Sequence, residues 1–131
     1  MKIPLIVLTA VAVFIAPAFL AAHHGFDRFD QQKTVTLKGA IKDWQWTNPH
    51  TWIQLSVGED GKVTEWRLEG VSTSQLGRQG WKRDFLKVGD EISVEIHPLR
   101  NGKPGGQWNR VFDASGREIG GSSLIPRTSG R

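Results

Sequence analysis

The sequence predicts an all-β domain that carries one short helix. Apolar and polar residues alternate with a period of two in several stretches, as they do in half-buried strands. Turn residues separate these stretches, and one segment, residues 72–87, lacks the period. The resulting order of strand, strand, strand, helix, strand, strand is that of an OB-like five-stranded small barrel, with another small β-barrel or a sandwich as the alternative.

Each predicted strand has its own boundary signals. Gly39 lies inside the first strand and predicts a bend or bulge there, and "GEDGK", residues 58–62, contains the Asp-Gly pair that is typical of a hairpin turn. The predicted strands are 34–46, 51–57, 63–71, 88–99 and 107–113. Their inward faces predict a core made of Val35, Leu37, Ile41, Ile53, Leu55, Trp66, Leu68, Ile92, Val94 and Ile96.

The segment without a strand period predicts the helix. Ser72 or Thr73 can cap its amino terminus, the helix runs to about Gln79, and Gly80 can end it. Trp81, just beyond the helix, is interpreted as a core residue.

Residues 1–22 predict a secretory signal peptide. Lys2 precedes an uncharged apolar run, and small residues including Ala22 follow that run. The alternative is an uncleaved membrane anchor, because spanning a bilayer takes roughly 20 apolar residues. Cleavage after Ala22 would place the protein in the periplasm or outside the cell, with no membrane span left.

The remaining chain predicts one domain and a tail. We expect residues 23–119 to form a single OB-like barrel, and residues 120–131, rich in Gly and Ser, to be disordered. The chain has no Cys, so core packing rather than disulfides must stabilise it. The formal net charge of +4 comes from Lys and Arg spread along the whole sequence, so a solvated surface explains it and no nucleic-acid partner is expected.

The histidines are the candidate metal ligands. His23 and His24 would open the processed chain, where an amine and imidazole can chelate copper or a similar divalent metal. His50 follows the first strand and His97 ends the fourth, and the loops at these positions flank the ligand face of an OB barrel, so we expect His50 and His97 to approach one another. A shared site requires that the lead-in double back along the barrel. The simpler interpretations are that His50 caps its own turn by hydrogen bonding to the backbone and that His97 is solvated.

Aromatic residues give the alternative function. Trp46, Asn48, Trp52 and Trp108 are the candidate ligand-binding residues for a glycan, a peptide or an envelope protein partner. Trp46 could instead cover the barrel mouth. Nothing in the sequence groups a nucleophile, a base and an oxyanion donor, so we expect a binding protein and not an enzyme.

The sequence also resembles a known family. The segments "AHHGFDRFD", "VTLKGAIKDWQWTNPH", "GRQGWKRDFLKVGDEISVEI" and "DASGRE" are similar to the bacterial exported family catalogued as domain of unknown function 6152. The resemblance covers roughly residues 23 to 119, and its specific markers are "WTNPH" at 46–50 and the run from Gly80 to Asp90. The resemblance implies export and a small β-domain, and it identifies no catalytic residue in this sequence.

Overall fold

The computed structural model describes residues 27–123 and has the predicted order of elements. These elements are β1 (Val35–Gln45), β2 (Trp52–Glu59), β3 (Lys62–Glu69), α1 (Thr73–Arg78), a 3₁₀ turn (Arg83–Phe85), β4 (Glu91–Pro98), β5 (Gly105–Phe112) and β6 (Glu118–Ile119). The predicted signal peptide, residues 1–22, lies outside the described residues.

The strands close into an OB-like barrel. They are hydrogen-bonded in the order β3-β2-β1-β4-β5, and β5 returns to pair with β3. The closing pairing is parallel and aligns Arg67–Glu69 with Gly105–Gln107, whereas the other pairings are antiparallel. The short strand β6 adds to the free edge of β5. The predicted fold class is therefore confirmed.

The barrel interior confirms the alternation that predicted it. The buried members of the predicted core are Leu37, Ile41, Ile53, Leu55, Leu68, Ile92, Val94 and Ile96. Val35 and Trp66 are only half-buried and pack against this core. The core also takes Trp108 and Val111 from β5 and Leu76 from α1, which the strand pattern did not single out.

Local signals placed the turn and the helix correctly. Asp60 and Gly61 both have positive φ between β2 and β3, as the tight hairpin turn requires. The Ser72 side chain accepts a hydrogen bond from the backbone N–H of Gln75 at 3.2 Å and caps α1.

Gly39 has a different role from the predicted bend. The register of β1 against β2 shifts between Ile41 and Asp43, not at Gly39. A Cβ at Gly39 would lie 2.1 Å from the carbonyl oxygen of Ser56, so glycine is required because β2 approaches β1 closely there.

The prediction of a disordered tail from residue 120 is wrong for its first residues. The Trp81 indole N–H donates to the carbonyl of Gly121 at 3.1 Å, and the Gln79 side chain donates to that of Ser123 at 3.2 Å. Ser123 is fully buried. Gly120–Ser123 thus cover Trp81, and residues 124–131 lie outside the described residues. None of the helices within residues 27–123 has the length and apolar character needed to cross a membrane.

Candidate functional site

The candidate site is a cleft of about 380 Å³ between the outer face of β2–β3 and the hairpin that joins β4 to β5. We call it the Trp52 cleft. Its apolar walls are Phe29, Trp52, Leu99 and Pro104, its charged residues are Arg28, Arg67 and Glu69, and Gly105 and Gly106 contribute backbone. The β2–β3 face and this hairpin are the parts of an OB barrel that bind oligomeric ligands.

A cation–aromatic pair forms one side of the cleft. Trp52 opposes Glu69 across the β2–β3 ladder, and Arg67 opposes Gln54, so Trp52 and Arg67 are diagonal neighbours on one face. The guanidinium carbon of Arg67 lies 4.3 Å from the centroid of the Trp52 ring. A guanidinium stacked on an indole keeps its N–H donors at its edge, where they can bind a carboxylate in bidentate fashion.

A buried carboxylate lies next to this pair, because Glu69 is the ladder partner of Trp52. Glu69 is 9% exposed at the end of β3 and forms an ion pair with Arg28. Its Oε1 also lies 3.3 Å from Nδ1 of His50. A buried carboxylate is stable only when charged or polar partners satisfy it, and Arg28 and His50 are two such partners.

The described part of the lead-in, residues 27–33, pairs with the end of β4. Phe29 forms an antiparallel bridge with Leu99. The N–H of Asp30 donates to the carbonyl of Pro98 at 2.8 Å, and the N–H of Arg100 donates to that of Arg28 at 2.9 Å. This pairing carries Arg28 to Glu69 and completes the cleft.

The structure separates His50 from His97. His97 pairs in register with Gln107, and Gln107 pairs with Glu69, so two strand spacings of about 4.8 Å lie between His97 and the carboxylate beside His50. The Nδ1 of His97 lies 2.8 Å from the carbonyl of Lys33. The expectation that His50 and His97 approach one another is therefore wrong, because the closing strand β5 lies between them.

The Nδ1 of His50 lies 3.1 Å from the carbonyl of Gly70, in addition to its contact with Glu69. Residues 27–123 contain no cluster of three or more His, Cys, Asp or Glu side chains arranged to hold a metal. His23 and His24 lie outside the described residues, so of the four predicted histidines the structure places only His50 and His97, and of these two only His50 contacts Glu69.

Of the four residues of the predicted aromatic site, only Trp52 lines the Trp52 cleft. Trp108 is fully buried, so its assignment as a ligand-binding residue is wrong: its ring packs against Trp81, with centroids 5.2 Å apart, in the core. Asn48 accepts hydrogen bonds from the backbone and hydroxyl of Thr73 at 3.0 and 2.8 Å and so fixes the start of α1. Trp46 packs on Trp44 at 5.8 Å and does not line the Trp52 cleft.

Sequence reasoning missed three charged residues of the cleft: Arg28, Arg67 and Glu69. Arg67 follows the inward-facing Trp66 in the alternation of β3, so its outward direction was predictable, but its partner on β2 was not. Arg28 lies in a segment whose sequence has no strand or helix periodicity. Only the pairing of Phe29 with Leu99 shows that this segment lies beside the cleft.

The fold and the cleft together define an OB-like barrel with a charged and aromatic cleft on its usual ligand face. The chain belongs to the family described as "Family of unknown function (DUF6152)", whose model matches residues 10–109. This confirms the resemblance seen in the sequence. Comparisons with curated proteins and with solved structures gave no match.

Proposed function

We propose that this chain is a small exported ligand-binding module, without catalytic activity, that binds an anionic organic ligand in the Trp52 cleft. The observation that carries the proposal is the Arg67 guanidinium stacked at 4.3 Å on Trp52, on the same face of β2–β3 as the carboxylate of the Arg28–Glu69 ion pair. The stack supplies an ordered cation on a rigid aromatic base, which suits a carboxylate.

The shape and lining of the cleft support a small organic ligand. Its volume of about 380 Å³ falls within the usual range of ligand sites, roughly 300–1,000 Å³. Its walls are mainly apolar, and a few charged groups converge on it, which is the usual composition of such sites. Because Glu69 already has Arg28 and His50 as partners, Arg67 is the cation available to attract an anion.

The sequence of residues 1–22 supports export. We propose cleavage after Ala22, which gives a mature chain that begins at His23. The intact mass of protein isolated from its native envelope without chelator tests this: loss of residues 1–22 supports export and cleavage. A mass that retains them, found only in membrane fractions, would contradict it.

Calorimetric titration tests ligand binding, with D-galacturonate as the anionic probe and D-galactose as its neutral counterpart. We expect galacturonate to bind with a dissociation constant on the order of 1 mM, or about −4 kcal/mol, and galactose to bind at least about tenfold more weakly. Arg67→Gln should abolish the preference for the acid. Arg78→Gln, the same charge change on α1 outside the cleft, should leave it unchanged. Equal affinities of the two sugars for the parent protein would contradict the proposal.

Copper is a second candidate ligand, favoured by the environment of His50. Its Nδ1 faces the carbonyl of Gly70 and the carboxylate of Glu69, so an N–H at Nδ1 would leave Nε2 free for a metal. Histidine ligands are commonly oriented in this way by a carbonyl or a carboxylate. The lead-in also reaches Glu69 at Arg28, only five residues after His23. The amine and imidazole of His23 in the processed chain would supply the further ligands.

Cu(II) titration of the chain beginning at His23 tests the copper site. We expect His50→Ala to weaken binding by at least about tenfold, or 1.4 kcal/mol, and His97→Ala to have no effect. Identical copper affinities for the parent protein and His50→Ala would leave only an amino-terminal chelate and contradict a site shared with His50.

A further inference from the structure

A second depression lies on the other side of the β4–β5 hairpin. It has a volume of about 280 Å³, and its base contains Trp66 and Val35 at the end of the barrel. We call it the Trp66 depression. Leu99 borders both this depression and the Trp52 cleft, so the two are neighbours across one side chain.

The Trp66 depression is basic. Lys33, Arg100 and Lys103 line it, and Asp30 is the acidic residue among the described lining residues. Asp30 lies 4.0 Å from Arg100 and also accepts a hydrogen bond from the backbone of Gln32 at 3.2 Å. Lys33 and Lys103 form no ion pair within residues 27–123, so they remain to attract an anion.

The two depressions therefore share one chemistry. Each combines an indole with cationic side chains: Trp52 with Arg67, and Trp66 with Lys33 and Lys103. A ligand that repeats a ring and a carboxylate would match both. A ligand that occupies two sites on one protein binds well above the affinity of either site alone, because its second contact is intramolecular.

We infer that the two depressions are subsites for one acidic polysaccharide chain that crosses the hairpin at Leu99. The inference rests on the proposed function and names the ligand class of that site. Oligosaccharides are among the ligands that OB barrels bind with the β2–β3 face and this hairpin.

The backbone around the cleft favours a sugar chain over a peptide. A bound peptide commonly adds a strand to a free sheet edge. Here Arg67–Glu69 of β3 pair with both β2 and β5, Gly106 and Gln107 of β5 pair with both β3 and β4, and the carbonyl of Gly105 accepts a hydrogen bond from the N–H of Leu99. The strands beneath the cleft thus offer no free edge to a peptide, whereas sugar carboxylates and hydroxyls need only side chains.

The test compares D-galacturonate with its α-1,4-linked hexamer by calorimetric titration of the mature chain. We expect the hexamer to bind the parent protein about a hundredfold more tightly, well above the sixfold statistical gain of six sugar units. The double variant Lys33→Gln/Lys103→Gln should keep the monomer affinity, which depends on Arg67, and lose at least about tenfold in hexamer affinity. Lys38→Gln/Lys62→Gln, on exposed strand positions that line neither depression, is the matched control.

The outcomes separate the two proposals. If the monomer binds through Arg67 but the hexamer gains only the statistical factor, or if the double variant keeps the full gain, the two-subsite inference is overturned and the proposed function stands. If neither sugar binds, both are overturned. If a hexaglutamate peptide or a thymidine hexanucleotide binds more tightly than the hexamer at equal ionic strength, the ligand class is wrong.

Discussion

The guanidinium carbon of Arg67 lies 4.3 Å from the ring centroid of Trp52, and the ring of His50 packs against the same indole with centroids 6.5 Å apart. One indole thus connects β2, β3 and the turn before β2. Pairs of this kind contribute roughly 0.5–1 kcal/mol at exposed sites. The contact is therefore too weak to explain the fold, but it fixes a cation at the cleft.

Replacing Trp52 by Leu should separate binding from stability. We expect the affinity for galacturonate to fall at least about tenfold because Arg67 loses its aromatic support, while the barrel still folds. Trp46→Leu, which removes a half-buried indole outside the cleft, should lower stability without changing affinity. Urea unfolding and calorimetry measure both effects. Equal loss of affinity in the two variants would show that the Trp52 contact is not specific to binding.

Most of the fold was predictable because burial imposes a period of two on each strand. Leu37, Ile53 and Val94 alternate with exposed or half-buried residues, and all three are buried. The sequence predicted a strand at the position of β5 but not its buried residues, because Gly105, Gly106 and Gln107 interrupt the apolar pattern ahead of Trp108. Glycines are needed there for packing: a Cβ at Gly106 would lie 2.7 Å from the carbonyl of His97.

Val94→Asp should prevent stable folding. Val94 is fully buried in the barrel and pairs with Leu37 and Val111. An unpaired buried carboxylate costs several kcal/mol, comparable with the total stability of a small domain, about 5–15 kcal/mol. Ser93→Asp, next to it on the outer face and opposite Lys38, should melt like the parent protein. Similar melting of the two variants by circular dichroism would refute the strand register.

Gly70→Ala should destabilise the domain although it adds only one methyl group. A Cβ at Gly70 would lie 2.2 Å from Nε1 of Trp108 and 2.4 Å from Oγ1 of Thr51, and both of those residues are fully buried. Such overpacking costs about 1–3 kcal/mol or more. Gly77→Ala in α1 meets no atom within 4 Å and should stabilise the domain by about 0.5–1 kcal/mol. A Gly70→Ala protein as stable as the parent in urea would contradict this packing.

The turn after β5 predicts one pH effect. The hydroxyl of Ser115, followed by the backbone N–H of Arg117, lowers the pKa of Asp113 by hydrogen bonding to its carboxylate. A carboxylate with a lowered folded-state pKa contributes stability above its unfolded pKa of about 3.9 and loses it as the pH falls through the folded value. Ser115→Ala should raise the pKa of Asp113 in a carbon-13 NMR titration. It should also destabilise the domain at neutral pH, but not at a pH below the folded-state pKa of Asp113, where the carboxylate is protonated. An unchanged pKa would contradict the hydrogen bond.

The candidate site was less predictable than the fold because it depends on contacts between distant segments. Trp52 was identifiable from its outward parity in β2. Arg28 reaches Glu69 only because the lead-in pairs with the end of β4, and no sequence period marks that pairing. Trp108 was wrongly assigned to the site, because strand parity alone did not show that this fully buried aromatic residue faces the core.

The central claim is that the β2–β3 face and the β4–β5 hairpin bind an anionic chain, and NMR mapping tests it most directly. The measurement is a titration of nitrogen-15-labelled mature protein with hexagalacturonate at constant ionic strength. We expect saturable shifts of the indole N–H signals of Trp52 and Trp66 and of the backbone amides of residues 99–103, 105 and 106, while the buried indole of Trp108 stays unchanged. Absence of saturable shifts, or shifts confined to the outer face of β1 and β4, would contradict the account.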